Sequence, residues 1–331
     1  MTINETLAQY SDWAFESAFA VLVLAFVLLV IQYASTRARA VQVREGAEEK
    51  ELVAAGGTSG SDGTAATPGR VAEQPRRTLA DRFGGMGYAV LVVGTVLLIA
   101  SIVLRGLSTE RFPLGNMYEF VAMACAATLL GGLVLMAKPA YRVLWVFMLV
   151  PVLILIFLAG TVLYADAAPV VPALRSFWLP IHVTVVSVGS GVFLISGVAS
   201  LLFLLRIRYP KGAEGASVFG RLAERLPDAL TLDRLAYKTT IIGFPLFGAG
   251  VILGAIWAEA AWGRFWGWDP KETVSFIAWV IYAAYLHARA TSGWRDTKAA
   301  WINVAGFAAM LFNLFIINMV VSGLHSYAGL N

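Results

Sequence analysis

Residues 239–257 read TTIIGFPLFGAGVILGAIW, residues 258–272 read AEAAWGRFWGWDPKE, and residues 273–290 read TVSFIAWVIYAAYLHARA. Two apolar runs flank a short segment that is neither apolar throughout nor a simple polar turn. A hydrocarbon core of about 30 Å takes roughly 20 residues of helix to cross, so each run reads as a span and the segment between them as a connection at one membrane face. With Trp257, that connection carries four of the ten tryptophans, Trp257, Trp262, Trp266 and Trp268, together with Phe265. One interfacial Trp anchors a helix at the headgroups, and an anchor has no need of four indoles. Such a loop can form a flat aromatic surface suited to a large planar ligand.

The rest of the chain follows the same pattern. It is 59% hydrophobic and 14% charged, whereas soluble domains are near 45–50% apolar and about 25% charged. Eight stretches are long enough to span, at 14–35, 86–106, 117–137, 142–164, 181–205, 239–257, 273–290 and 300–322. They predict an all-α polytopic membrane protein with about eight transmembrane helices. The first stretch follows Glu5, Asp12 and Glu16 rather than a basic segment, so it reads as a retained helix and not a secretion signal.

Basic residues set the orientation. Placing the N-terminus and C-terminus on the outer face puts 20 of the 25 Lys and Arg in cytoplasmic segments, leaving Arg105, Arg111, Arg175, Arg264 and Lys271 outside. The basic balance thus reflects topology, and nucleic-acid binding need not be invoked. The lone Cys125 lies in the third apolar stretch, forms no CxxC pair and reads as packing.

Three segments emerge: an N-terminal transmembrane helix over 1–45, a cytoplasmic linker over 46–80, and a seven-helix core over 81–331 with its outer loop at 257–272. The linker is rich in Gly, Ala, Ser, Thr, Glu and Pro, a composition expected to stay disordered. In 216–237, leucines recur at near-helical spacing around Pro227, which predicts one or two short helices on the inner membrane surface.

Only three histidines occur. His182 opens the fifth stretch and His325 follows the eighth, so both share the outer face with the Trp-rich loop. Neutral imidazole is a good axial ligand for haem iron, and one from each side gives bis-His coordination. Arg264 or Lys271 could meet the propionates. The plainer reading is two interfacial histidines bonded to headgroups and water. His287 lies near the cytoplasmic end of its helix and cannot share a ligand with the other two; it reads equally as half of a second haem site or as a solvated interfacial residue. Asp269 suits an N-cap, Pro270 the first helical position and Glu272 a capping box, which makes them scaffold rather than ligands. Glu119 reads either as the partner of Arg111 or Arg175, or as a first-turn acid favoured by the helix dipole.

Residues 262–272, with Trp266, Trp268 and Asp269, strongly resemble the WWD signature of haem-handling proteins. Within that superfamily the chain resembles the CcsA/ResC type of system II cytochrome c biogenesis. The similarity spans the last seven helices and includes residues 115–119 and 232–237. It implies that His182 and His325 are axial ligands of haem b at an outer site and that His287 belongs to an inner one. It further implies a multi-pass protein of the bacterial plasma membrane, a ResB-like partner subunit, an apocytochrome c substrate with a reduced CxxCH motif and, indirectly, a thioredoxin-like thiol reductant. In such a complex, ligating haem to apocytochrome c, no residue of this chain is an evident general acid or base. The rival readings are a membrane b-type haem protein in electron transfer and a transporter for an amphipathic small molecule.

Overall fold

The computed structural model describes residues 3–56, 79–170 and 174–325, and among these there is no strand. The helices are α1 (Glu5–Gly56), α2 (Leu79–Thr109), α3 (Met117–Leu135), α4 (Trp145–Thr161), α5 (Trp178–Arg208), α6 (Val218–Ala223), α7 (Ala229–Trp262), α8 (Pro270–Ala290) and α9 (Thr297–Phe312). A 3-10 turn, Pro139–Leu144, leads into α4, and α9 continues as a π-helical turn, Asn313–Ile317.

Seven of these helices are long and apolar enough to cross a membrane. The stretch 273–290 corresponds to α8, whose 21 residues reach about 31 Å at 1.5 Å per residue. Tyr282, Tyr285, His287 and Arg289 lower its hydropathy, yet it packs between α7 and α9 as a member of the bundle. About eight spans is therefore the right count.

Two boundaries differ from the sequence expectation. α1 continues to Gly56, past residue 45; residues 36–56 are rich in Ala, Glu and Arg, strong helix formers whether or not lipid surrounds them. Of the expected linker, 57–78 lies outside the described residues. In 216–237 only α6 is a separate short helix. The Asp228 side chain accepts from the Thr231 N–H at 3.2 Å, so Leu230, Leu232 and Leu235 form the first turns of the long α7.

The most buried of the spans is α5, which packs along α7 and against α3 and α9. Close approach makes this possible. A Cβ on Gly189 would lie 2.9 Å from the Phe247 backbone nitrogen, and one on Gly250 would lie 3.1 Å from that of Val186. Bundles in lipid gain association through such small-residue contacts. α1 lies along α2, where Leu22, Leu29, Leu91 and Leu98 are buried.

The helices alternate in direction, so one end of the bundle collects the start of α1, α3, α5 and α8 and the end of α2, α4 and α7. There the Asn4 N–H donates to the Ser108 carbonyl at 2.9 Å. At the opposite end Arg206 pairs with Glu214 at 2.9 Å and Arg289 with Asp233 at 2.8 Å.

Candidate functional site

The connection between α7 and α8 is built from two left-handed residues and one acid. Gly263 ends α7 at φ 71°, with its N–H on the Glu259 carbonyl at 2.9 Å. Trp268 adopts φ 57°, a region a bulky residue enters at a strain of about 1–3 kcal/mol. Glu272 offsets that strain, its Oε2 accepting the N–H groups of Gly267 at 2.9 Å and Asp269 at 3.2 Å. Asp269 is the N-cap of α8, Pro270 follows in the first turn, and Asp269 and Glu272 close a capping box.

Asp269 does more than cap. Its Oδ2 receives Nδ1–H of His325 at 2.8 Å, and its Oδ1 accepts the Leu324 N–H at 2.7 Å. Burial alone would push this carboxyl up. The hydrogen bonds from His325, Leu324 and the Lys271 amide outweigh burial and hold it below the usual aspartate value. Across the site, His182 Nδ1 lies 2.8 Å from the Gly250 carbonyl. A carbonyl and a carboxylate only accept, so both Nδ1 atoms carry the proton and both Nε2 atoms keep a lone pair. Carboxylate or carbonyl support behind an imidazole is the usual arrangement of metal-ligating histidines.

Trp257 neighbours both rings. Its indole is 6.0 Å from the His182 ring, centroid to centroid, with planes 6° apart, and 5.7 Å from the His325 ring. Trp262 backs this group, 4.7 Å from Trp257 and 5.0 Å from His325. Trp257 is buried, and its Nε1–H has no acceptor.

These side chains open on a cavity of about 130 Å³. His182, Trp257, Phe265, Trp266, Lys271 and His325 line it, as do Asn116, Phe120 and Asn318. A second chamber of about 80 Å³ shares Phe120, Lys271 and Asn318 and extends toward Thr128 and Met310. Among the described residues Lys271 is the one Lys or Arg lining either chamber. Its Nζ donates to Asn318 Oδ1 and lies 5.6 Å from the Phe120 ring centroid. Asn318 donates to the carbonyls of Asn313 at 3.2 Å and Leu314 at 2.8 Å, acceptors that the π-helical turn presents to it.

The remaining sequence candidates lie elsewhere. Trp268 is 69% exposed and stands beside Trp266, outside the cavity lining. Arg264 packs over Gly267, where a Cβ would overlap its guanidinium. His287 is exposed on α8, far from the cavity along the helix. Glu119 pairs with Arg111 at 2.9 Å, and also with Arg105 at 3.3 Å, a partner the sequence did not suggest. Arg175 instead donates to the Val170 carbonyl. Glu119 also receives the Gly115 N–H at 2.6 Å, which fixes one wall of the cavity.

Among the described residues no three His, Cys, Asp or Glu side chains converge as a bare-metal site. Two imidazoles with free Nε2 atoms, indoles and one cation suit an iron already held by a macrocycle.

Comparison with known proteins agrees with this chemistry. Residues 114–325, which begin and end on residues of the cavity wall, match the family of cytochrome c assembly proteins. The cytochrome c biogenesis protein CcsA of Guillardia theta is 32% identical over 260 residues, covering 74% of this chain and 86% of that protein. CcsA of Synechococcus sp. (strain RCC307) is 34% identical over 267 residues, covering 72% and 83%. CcsA of Chlamydomonas reinhardtii is 34% identical over 251 residues, covering 72% and 67%. A solved structure of the cytochrome c heme lyase CcmF is similar in fold, with a TM-score of 0.61 at 16% identity, over 95% of this chain and 47% of that one. The present chain thus spans about half of that structure, and the likeness concerns the fold. With the family match covering more than half of its length, the chain belongs to the cytochrome c assembly protein family, as a CcsA-type cytochrome c biogenesis protein.

Proposed function

We propose that this chain holds haem b at the end of the bundle bearing the Trp-rich loop and presents it there for covalent attachment to apocytochrome c. The observation that carries this reading is the pairing of His182 and His325, each bonded through Nδ1 and each lining one cavity with Trp257 and Lys271. The two imidazoles would ligate the iron from opposite sides. Trp257, Phe265 and Trp266 would contact the macrocycle, Lys271 would pair with a propionate, and Trp262 would support Trp257 and His325 from behind.

The residues supply position rather than proton transfer. Each thiol of a CxxCH motif adds across a haem vinyl group, sulfur bonding to one carbon and hydrogen to the other, with nothing released. The oriented site raises the effective concentration of the partners. The chain acts as a subunit of a haem–apocytochrome c ligating complex. A ResB-like subunit would complete the inner site at exposed His287, and a thioredoxin-like reductant would keep the apocytochrome thiols reduced.

The site lies on the outer face of the bacterial plasma membrane in this reading. The five basic residues Arg105, Arg111, Arg175, Arg264 and Lys271 all belong to the end that carries it, while the other 20 fall in sequence segments expected on the cytoplasmic side, in keeping with the positive-inside rule. A b-type electron-transfer protein with two bis-His haems would need four histidines, and the chain has three. Haem spectra of the purified full chain test the assignment. His182→Gly and His325→Gly should each lose the six-coordinate spectrum and regain it with imidazole, and unchanged spectra in both variants would refute the ligation.

A further inference from the structure

The two proposed ligands are held in different ways, and the difference bears on what happens when the histidine of a CxxCH motif arrives at the iron. His182 sits in the second turn of α5 against α7. Its Nδ1 donates to the Gly250 carbonyl, and its ring fills the space above Gly254, where a Cβ would lie 2.6 Å from Cε1. Beside it stands buried Trp257, nearly parallel to the ring. Turning His182 out of the cavity requires α5 and α7 to part, and these two helices pack along much of their length.

His325 belongs to no helix. It follows the π-helical turn after α9, its side chain is 19% exposed, and one side-chain hydrogen bond holds its ring. The acceptor of that bond, Asp269, is itself fixed by the α8 cap and by the Leu324 N–H. Among the described residues His325 is held by this one side-chain hydrogen bond and by the neighbouring Trp257 and Trp262 rings, so its departure from the cavity does not require two packed helices to part.

We infer that the two ligands are unequal: His325 is the one the incoming cytochrome histidine displaces, and His182 stays on the iron until the product leaves. This rests on the ligation proposed above. One effect opposes it. A carboxylate behind an imidazole strengthens the imidazole as a ligand, by about 10–100-fold in metal affinity. The incoming histidine, however, belongs to the same short peptide as the reacting thiols. Well-oriented groups of that kind reach effective molarities of about 10⁵ M or more, enough to overcome a 100-fold preference. The hold on each ring then decides: His182 is seated between α5 and α7, and His325 lies outside any helix.

Before the exchange Asp269 has a positioning role: it orients His325 toward the iron while haem waits.

The test uses the full chain loaded with haem in detergent and a synthetic Cys-X-X-Cys-His peptide with both thiols methylated, so that only its imidazole can bind. In His325→Gly the peptide should restore the six-coordinate spectrum, as free imidazole does, because its own histidine fills the vacated position. In His182→Gly free imidazole should restore that spectrum and the peptide should not. Restoration by peptide in His182→Gly alone, in both variants or in neither would overturn the inference. Spectra that never change in either variant would instead remove the ligation on which it rests.

Discussion

His325 donates its Nδ1–H to Asp269 Oδ2 at 2.8 Å, across a separation of 56 residues. The same carboxylate starts α8, so the helix cap and the histidine it orients are one structural unit. Asp269→Asn separates the two roles, because Asn caps helices about as well as Asp but brings no charge to the imidazole. We expect the variant to remain folded and to bind haem about 10–100-fold more weakly. Asp269→Ala should add a loss of about 1 kcal/mol of stability through the missing cap. Haem titration and thermal unfolding, run side by side, distinguish these outcomes.

The same contact sets a pH expectation. The folded-state value of Asp269 is depressed, so its contribution is complete above the ordinary aspartate value of about 3.9 and fades only as pH falls through the still lower folded value. Between pH 5 and 8 the carboxylate stays charged and contributes no slope. On acidification through the aspartate range the parent should lose a contribution that Asp269→Asn, with no carboxyl to protonate, does not have; equal acid slopes in the two proteins would show this assignment to be wrong.

Gly254 should be intolerant of the smallest substitution. In Gly254→Ala the new methyl would meet the His182 ring at 2.6 Å, and the ring has no room to retreat without losing the Gly250 carbonyl. Overpacking of this kind costs about 1–3 kcal/mol. The expected result is a five-coordinate haem spectrum in a folded protein, resembling that of His182→Gly. A normal six-coordinate spectrum would mean that the His182 slot is looser than its contacts imply.

Much of this architecture is legible in the sequence because it depends on local pattern. Eight apolar stretches gave the spans, and Asp269, Pro270 and Glu272 announce the start of α8 by spacing alone. What sequence could not supply is contact between distant segments. The Asp269–His325 bond, the Gly250 and Gly254 seat for His182, and the Arg105–Glu119 pair each join segments that periodicity treats separately. The Trp-rich loop was legible as an aromatic cluster but not in its division of labour. The left-handed turn at Trp268 places that indole outside the cavity lining while Trp266 lines the cavity. Similarly, Arg264 and Lys271 are equivalent cations on paper, and only the fold places Lys271 alone on the wall.

Lys271 accordingly carries the prediction about the acidic edge of haem. An ammonium facing an apolar cavity, with no carboxylate partner among the described residues, is costly unless the ligand supplies one. Lys271→Met should weaken binding of haem by about tenfold or more, in line with the ~1.5–3 kcal/mol of a hydrogen bond to a charged group. Haem dimethyl ester, which has no carboxylates, should bind the parent and the variant alike. Equal loss for both ligands would assign Lys271 a packing role only, and Arg264→Met should affect neither ligand by more than about twofold.

The membrane orientation can be read with cysteine labelling, because the native thiol, Cys125, is 1% exposed and the background is therefore low. Phe177, 78% exposed near the cavity end, and Phe219, 60% exposed at the opposite end, are suitable positions. In intact cells a membrane-impermeant maleimide should label Phe177→Cys and leave Phe219→Cys unlabelled until the membrane is opened. The asymmetry follows from basic-residue placement, since turning the chain over would put 20 of 25 Lys and Arg outside. Labelling of Phe219→Cys alone would invert the topology and put the histidine-lined cavity on the cytoplasmic side, where it could receive haem but could not meet an apocytochrome outside the cell.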